Sequence, residues 1–216
     1  MKLKERAELI VKALDMIYPD AACSLEYKKP YELLIATRLS AQCTDARVNI
    51  VTRDLFKKYS SLEAFAEADF EELANDIKSC GLYKTKATSI IEMSRQIIEK
   101  HGGEIPNTLE GLLSLPGVGR KTANLIMGDV FGKPAIVTDT HCIRISFRLK
   151  LTKNKEPFKV EKDLIKVIPL EASAKFCHQL VLFGREFCSA RSPKCEICPL
   201  RRIFFEKCGE ELSCKV

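Results

Sequence analysis

The string Leu115-Pro116-Gly117-Val118-Gly119-Arg120-Lys121 combines residues that suit an anion with one that suits nucleophilic chemistry. A Gly-x-Gly hairpin leading into a helix lets backbone N–H groups approach a phosphate closely, because glycine accepts positive φ and carries no Cβ. Such a contact holds a backbone in place without reading its sequence. The string is not a nucleotide-binding P-loop, since Arg120 separates Gly119 from Lys121. It is not a dinucleotide fingerprint either, since no strand precedes it and the third glycine is missing. Lys121 falls in the first turn of the next helix. There the helix dipole, the neighbouring Arg120 and partial burial would each lower the pKa of its ammonium, as a neutral amine nucleophile requires. Each feature also has an ordinary reading. The hairpin serves equally as a plain helix connection, and Lys121 as a solvated surface lysine. Asp139, ahead of another helix, is a carboxylate for proton transfer and equally a good N-cap.

Cysteines form the other group. Cys188, Cys195 and Cys198 are separated by six and two residues, and a proline follows the last. Cys-x-x-Cys-Pro suits thiolates on zinc or on an iron–sulfur cluster. The chain holds 10 cysteines and begins without the apolar run of a signal peptide. A reducing, cytoplasmic setting is therefore expected, in which ligation is a better use of thiols than a disulfide framework. Cys23, Cys43, Cys80, Cys142 and Cys177 fall on helical stretches and read as small buried hydrophobes.

The elements that position these groups read as helices throughout. Leu3, Ala7, Ile10, Leu14 and Ile17 repeat at helical spacing before Pro19. A second helix starts near Pro30 and runs through Leu39, and a third follows Thr44-Asp45. Ser60 with Glu63, Asp69 with Glu72 and Asn107 with Glu110 resemble capping pairs that open short helices. Gly81 is placed as a helix stop. A long helix striped by Ile90, Ile91, Ile97 and Ile98 ends at Gly102-Gly103. Further helices are predicted over 120–131, 140–149, 159–168 and 172–187. Ala135-Ile136-Val137 is strand-like but too short for a sheet. The fold class expected is all-α. Hydrophobic residues make up 46% and the net charge is +6, which suits a globular domain with a polyanionic partner without requiring one. No segment is apolar enough for a membrane span.

Four strings occurring in order are specific together: Leu39-Ser40-Ala41-Gln42-Cys43-Thr44-Asp45, Gly81-Leu82-Tyr83, Leu115 through Asn124, and Val137-Thr138-Asp139-Thr140-His141. With Phe183-Gly184-Arg185 and the terminal cysteines, they resemble the endonuclease III family of helix-hairpin-helix DNA glycosylases over nearly the whole chain. The resemblance implies a fold of two helical lobes with a DNA-binding cleft between them. One is a six-helix barrel, here 23–134, with the helix-hairpin-helix near 109–131. The other is built from 1–22 plus 135–216 and holds a [4Fe–4S] cluster. It implies a monomeric, nucleoid-associated base excision enzyme that binds double-stranded DNA containing oxidised pyrimidines or abasic sites. Lys121 would attack the sugar C1′, and Asp139 would assist base departure. Gln42 would fill the space left by the flipped nucleotide, and Leu82 would wedge into the opposite strand. Gly117, Val118 and Gly119 would hold a phosphate, with His141 also at the DNA. The alternatives are a mismatch-specific glycosylase and a non-catalytic helix-hairpin-helix DNA-binding protein. The joint presence of Lys121 and Asp139 speaks against the second.

One position departs from the family pattern. The fourth cluster cysteine is expected after five more residues, and Phe204 stands there. Cys208 is predicted to serve instead, with Cys214 as its competitor. Four extra residues add about one helical turn, ~6 Å of rise, and nearly restore the facing direction, whereas Cys214 lies where chains commonly fray. Cys208→Ser is expected to lose iron and visible absorbance while Cys214→Ser keeps both; the opposite result transfers the ligand to Cys214.

Overall fold

The computed structural model describes residues 1–208, with side chains to residue 204. Every regular element among them is helical. The α-helices are α1 (Leu3–Ile17), α2 (Pro30–Leu39), α3 (Asp45–Lys58), α4 (Leu62–Ala66), α5 (Phe70–Asp76), α6 (Tyr83–His101), α7 (Leu109–Leu113), α8 (Arg120–Asp129), α9 (Thr140–Arg148), α10 (Pro157–Leu164), α11 (Ser173–Glu186) and α12 (Pro199–Cys208). Short 3₁₀ turns lie at Lys78–Cys80, Leu170–Ala172 and Cys195–Ile197. No helix among the described residues is long and apolar enough to cross a membrane.

The chain divides into two compact units. Cys23–Phe131 form one, and Met1–Ala22 with the chain from Gly132 onward form the other. The division thus falls at Phe131–Gly132, slightly before the expected 134.

In the contiguous unit, α6 packs against α2, α4 and α5, and α8 packs against α2 and α7. Leu33, Leu34, Ile35 and Leu39 of α2 and Ile90 and Ile97 of α6 are fully or almost fully buried. Phe65 is completely buried, stacked on Tyr59 at 5.0 Å and edge-on to Tyr31 and Phe56. The helix α6 stops where predicted. Gly102 takes a left-handed conformation, and the Gly103 N–H donates back to Ile97 O at 3.1 Å, the usual way of closing a helix end.

The discontinuous unit buries Ala7, Ile10, Ala13 and Leu14 of α1, which packs against α11 and α12. Gln179 Nε2 on α11 donates to Asp15 Oδ1 at 2.8 Å. Phe204 on α12 is fully buried, with the Arg6 guanidinium 5.3 Å from its ring centre. The strand-like Ala135–Val137 pairs with no strand. Ala135 N–H donates to Ser173 Oγ at 3.0 Å and Val137 N–H to Cys177 Sγ at 3.2 Å, so side chains of α11 satisfy the extended backbone.

Three helix starts differ from expectation. Helix α4 is capped by Ser61 rather than Ser60, and α7 by Thr108 rather than Asn107. Helix α10 opens at Pro157 rather than near Lys159, with the Glu156 carboxylate accepting from Phe158 and Lys159 N–H. Proline at a first helical position loses no hydrogen bond, since that N–H has no helical acceptor.

Candidate active site

The hairpin is built tightly at one glycine and openly at the other. Gly117 has φ +76°, and a Cβ there would meet Arg38 Nε at 2.8 Å and Ser89 Cβ at 3.0 Å. No other residue fits. Arg38 donates to Ser89 Oγ at 2.7 Å, and burial lowers the pKa of its guanidinium. Val118 is buried and anchors the turn. Gly119 differs from expectation: its φ is −93° and a Cβ would meet nothing within 4 Å. Its lack of a side chain answers to no neighbour in the chain. No side chain caps the start of α8. Lys121, second residue of α8, is exposed rather than partly buried and forms no ion pair among the described residues.

Gln42 and Leu82 share an unusual backbone. Their φ values are +58° and +48°, and both are exposed, Leu82 by 57%. Left-handed conformation in a non-glycine residue costs energy and collects at functional sites. Gln42 sits in the turn between α2 and α3. Leu82 is the residue from which α6 starts, with no side-chain cap.

Sequence reading missed the group that joins these two turns. Lys86, one turn into α6, is fully buried. Its Nζ donates to Leu39 O at 2.8 Å and Cys80 O at 2.9 Å, the carbonyls just ahead of the two turns. Burial lowers its pKa. Burial, with Cys43 alongside, pushes the Cys80 thiol up to about 11. Leu82, Lys86 and Ser89 follow one another at i, i+4 and i+7. One stripe of α6 therefore carries the exposed leucine, the tie between the turns and the acceptor for the arginine under Gly117.

Asp139 lies in the other unit and caps α9. Its Oδ1 accepts from Cys142 N–H at 2.7 Å. His141, in the first turn of α9, has Nδ1 3.1 Å from Arg144 Nη2, and its ring lies over Gly184, where a Cβ would collide with it. Arg144 donates to Cys188 O at 3.0 and 3.2 Å. Arg148 donates to Cys188 Sγ at 3.3 Å and to the carbonyls of Ser189 and Ala190 at 2.7 and 2.9 Å. Thus α9 joins the segment carrying Asp139 to the segment opening at Cys188.

Cys188, Cys195 and Cys198 are free thiols lining one pocket with Leu149, Phe183, Phe187 and Pro193. Among the described residues no three His, Cys, Asp or Glu side chains are gathered tightly enough for a single metal ion. A cluster fits this donor set: three thiols face one apolar space, and a guanidinium donates to one sulfur, as hydrogen bonds to cluster sulfurs do. The backbone of Cys208 ends α12; its side chain, and all of Cys214, lie outside the described residues. Of the remaining thiols, Cys80, Cys142 and Cys177 are buried as expected, while Cys23 and Cys43 are only half-buried. A hydrogen bond with Cys177, together with burial, pushes the Cys142 thiol well up.

The family model for HhH-GPD superfamily base excision DNA repair proteins matches residues 35–170, and that for the iron–sulfur binding domain of endonuclease III matches residues 188–203. The chain is 47% identical to endonuclease III of Bacillus subtilis (strain 168) over 201 residues, covering 93% of this chain and 91% of that one. It is 42% identical to endonuclease III of Escherichia coli (strain K12) over 180 residues, covering 83% and 85%. Among solved structures, a trapped covalent intermediate of endonuclease III with DNA is similar, with a TM-score of 0.87 at 44% identity, covering 94% of this chain and 96% of that one. A thermostable thymine-DNA glycosylase gives 0.83 at 26% identity, covering 94% and 98%.

The cap made by Asp139 allows its two jobs to be separated. Asparagine caps as well as aspartate, whereas alanine loses about 1 kcal/mol. Asp139→Asn is expected to melt like the wild type while base release collapses, and Asp139→Ala to lose both stability and activity. Normal base release by the asparagine variant would leave Asp139 as a cap alone.

Proposed function

The chain belongs to the HhH-GPD superfamily of base excision DNA repair proteins and, within it, to the endonuclease III family, and from that membership we infer a bifunctional DNA glycosylase and abasic-site lyase that removes oxidised pyrimidines from double-stranded DNA. The observation that carries this reading is the exposed Lys121 directly behind an open glycine hairpin. The open space at Gly119 and the uncapped start of α8 suit a phosphate oxygen. That contact would hold the strand while Lys121 reaches the sugar.

A base within the duplex shields its sugar carbon, so the nucleotide is first extruded, at a cost of a few kcal/mol. Leu82 and Gln42 offset that cost by entering the stack. Burying a leucine side chain returns roughly 2 kcal/mol. Lys121 Nζ then attacks C1′ and the glycosidic bond breaks. The Asp139 carboxylate assists departure of the base and the accompanying proton transfer. The resulting imine makes the neighbouring C2′ proton acidic, and its loss expels the 3′ phosphate by β-elimination. His141 is assigned to the DNA backbone. Cys188, Cys195, Cys198 and, on this reading, Cys208 would hold the [4Fe–4S] cluster, which would supply a covalent cross-link. That link steadies the loop bearing the exposed Arg191 and Lys194 for phosphate contacts. The protein acts as a monomer on the chromosome, in the cytoplasm.

Borohydride trapping on abasic-site DNA tests the nucleophile. Lys121→Gln is expected to bind the duplex with near wild-type affinity and form no covalent adduct; undiminished trapping would end the mechanism. Gln42→Ala and Leu82→Ala are expected to slow cleavage of paired lesions more than of single-stranded abasic DNA. Equal losses on both would remove the insertion roles. A panel of duplexes carrying oxidised pyrimidines or thymine mismatches identifies the preferred base.

A further inference from the structure

Lys86 is a fully buried lysine for which the reaction described above has no use. Its surroundings are specific. The ammonium donates to Leu39 O at 2.8 Å and to Cys80 O at 2.9 Å. Leu39 closes α2 three residues before Gln42, and Cys80 closes the 3₁₀ turn two residues before Leu82. Carbonyls at helix ends lack helical partners, and here one cation satisfies two of them from segments far apart in sequence. Gln42 and Leu82 both hold left-handed backbone and both face solvent. Such conformations persist only where the surroundings over-determine them; here Lys86 donates to a carbonyl beside each turn, and the Cys43 and Cys80 thiols hydrogen-bond next to it.

We propose that Lys86 is a positioning residue for nucleotide extrusion: its ammonium ties the Gln42 turn to the Leu82 turn, so that the two side chains enter the duplex as a pair at one set spacing. The inference rests on the insertion roles assigned to Gln42 and Leu82. It adds that their spacing is held from beneath by this cation, with the Cys43–Cys80 thiol contact beside it, rather than by either turn alone. A fully apolar side chain of the same length would fill the volume and leave both carbonyls unpartnered. A lysine kept merely to fill the core would be replaced by it without any preference between substrates.

The test compares Lys86→Met with Gln42→Ala and Leu82→Ala, all as intact cluster-bearing protein. The probe is a duplex with 2-aminopurine beside a reduced abasic site, whose fluorescence rises when the stack opens. Lys86→Met is expected to keep its circular dichroism and cluster absorbance and to lose most of the fluorescence rise. Cleavage of paired lesions should fall about tenfold while cleavage of single-stranded abasic DNA stays within about twofold, because only the paired substrate has a stack to open. Equal loss on both substrates, or an unchanged fluorescence rise, overturns the proposal. Selective loss in the Gln42 and Leu82 variants without it in Lys86→Met leaves their roles standing and removes that of Lys86. Unselective controls remove the insertion roles themselves, and the proposal with them. Should Lys86→Met fail to fold, the unsubstituted protein decides. The Lys86 ¹⁵Nζ resonance and the amides of residues 40–43 and 80–82 are expected to shift together on binding the abasic duplex and not on binding undamaged duplex. A shift confined to one turn overturns the proposal.

Discussion

Each helix start leaves N–H groups without a partner in the helix, and how this chain satisfies them orders much of its architecture. Side-chain oxygens of Thr44, Ser61, Asp69, Thr108, Asp139 and Glu156 close the starts of α3, α4, α5, α7, α9 and α10. Helices α6 and α8, like α11 at Ala172, start without a side-chain cap. Helices α6 and α8 begin at Leu82 and Gly119, residues with no polar side chain. In the proposed reaction both of these starts meet DNA, together with Gln42 and the start of α9. Hydrogen-bonding capacity that side-chain oxygens satisfy at six other helix starts is left there for an outside acceptor.

The same helices show where strain is placed and what absorbs it. Left-handed backbone at Gln42 and Leu82 costs on the order of 1–3 kcal/mol each. Burying the Lys86 ammonium adds a desolvation penalty that its two carbonyls offset. A core in which Phe65, Leu33, Leu34 and Ile35 are almost wholly buried can sustain both. Two of the three left-handed non-glycine residues, Gln42 and Leu82, lie beside the start of α6 with the residues assigned to the duplex; the third, Lys150, follows α9.

How far the sequence could be read depended on whether a signal was local. Periodicity and breakers located the long helices, and Gly102 ended α6 as predicted. Caps differ by one residue at Ser61 and Thr108 because each has a neighbour, Ser60 or Asn107, of a type that caps equally well. The start of α10 at Pro157 carries a local signal, a capping Glu156 followed by proline, that competes with the apolar periodicity beginning further on. Gln42 and Leu82 stood out through family resemblance, since neither composition nor spacing marks a left-handed backbone. Lys86 was invisible: a lysine between Thr85 and Ala87 reads as a solvated helix position, and its burial comes from carbonyls supplied by other segments. Lys121 was expected to be partly buried and is exposed, because the helix start that carries it has no covering element within its unit.

One unit is assembled from both ends of the chain, and this has a consequence during synthesis. Asp15 and Gln179 pair across 164 residues of sequence. At ribosomal rates of about 5–20 residues per second, α1 waits roughly 10–30 s for α11 to emerge. Throughout that interval α1 lacks α11 and α12, against which it packs. The contiguous stretch Cys23–Phe131 draws its core from its own residues. The nascent chain therefore carries a helical body with its own core and an unpaired amphipathic helix ahead of it, and that helix is the segment most open to capture by chaperones or by other nascent chains before the C-terminal half arrives.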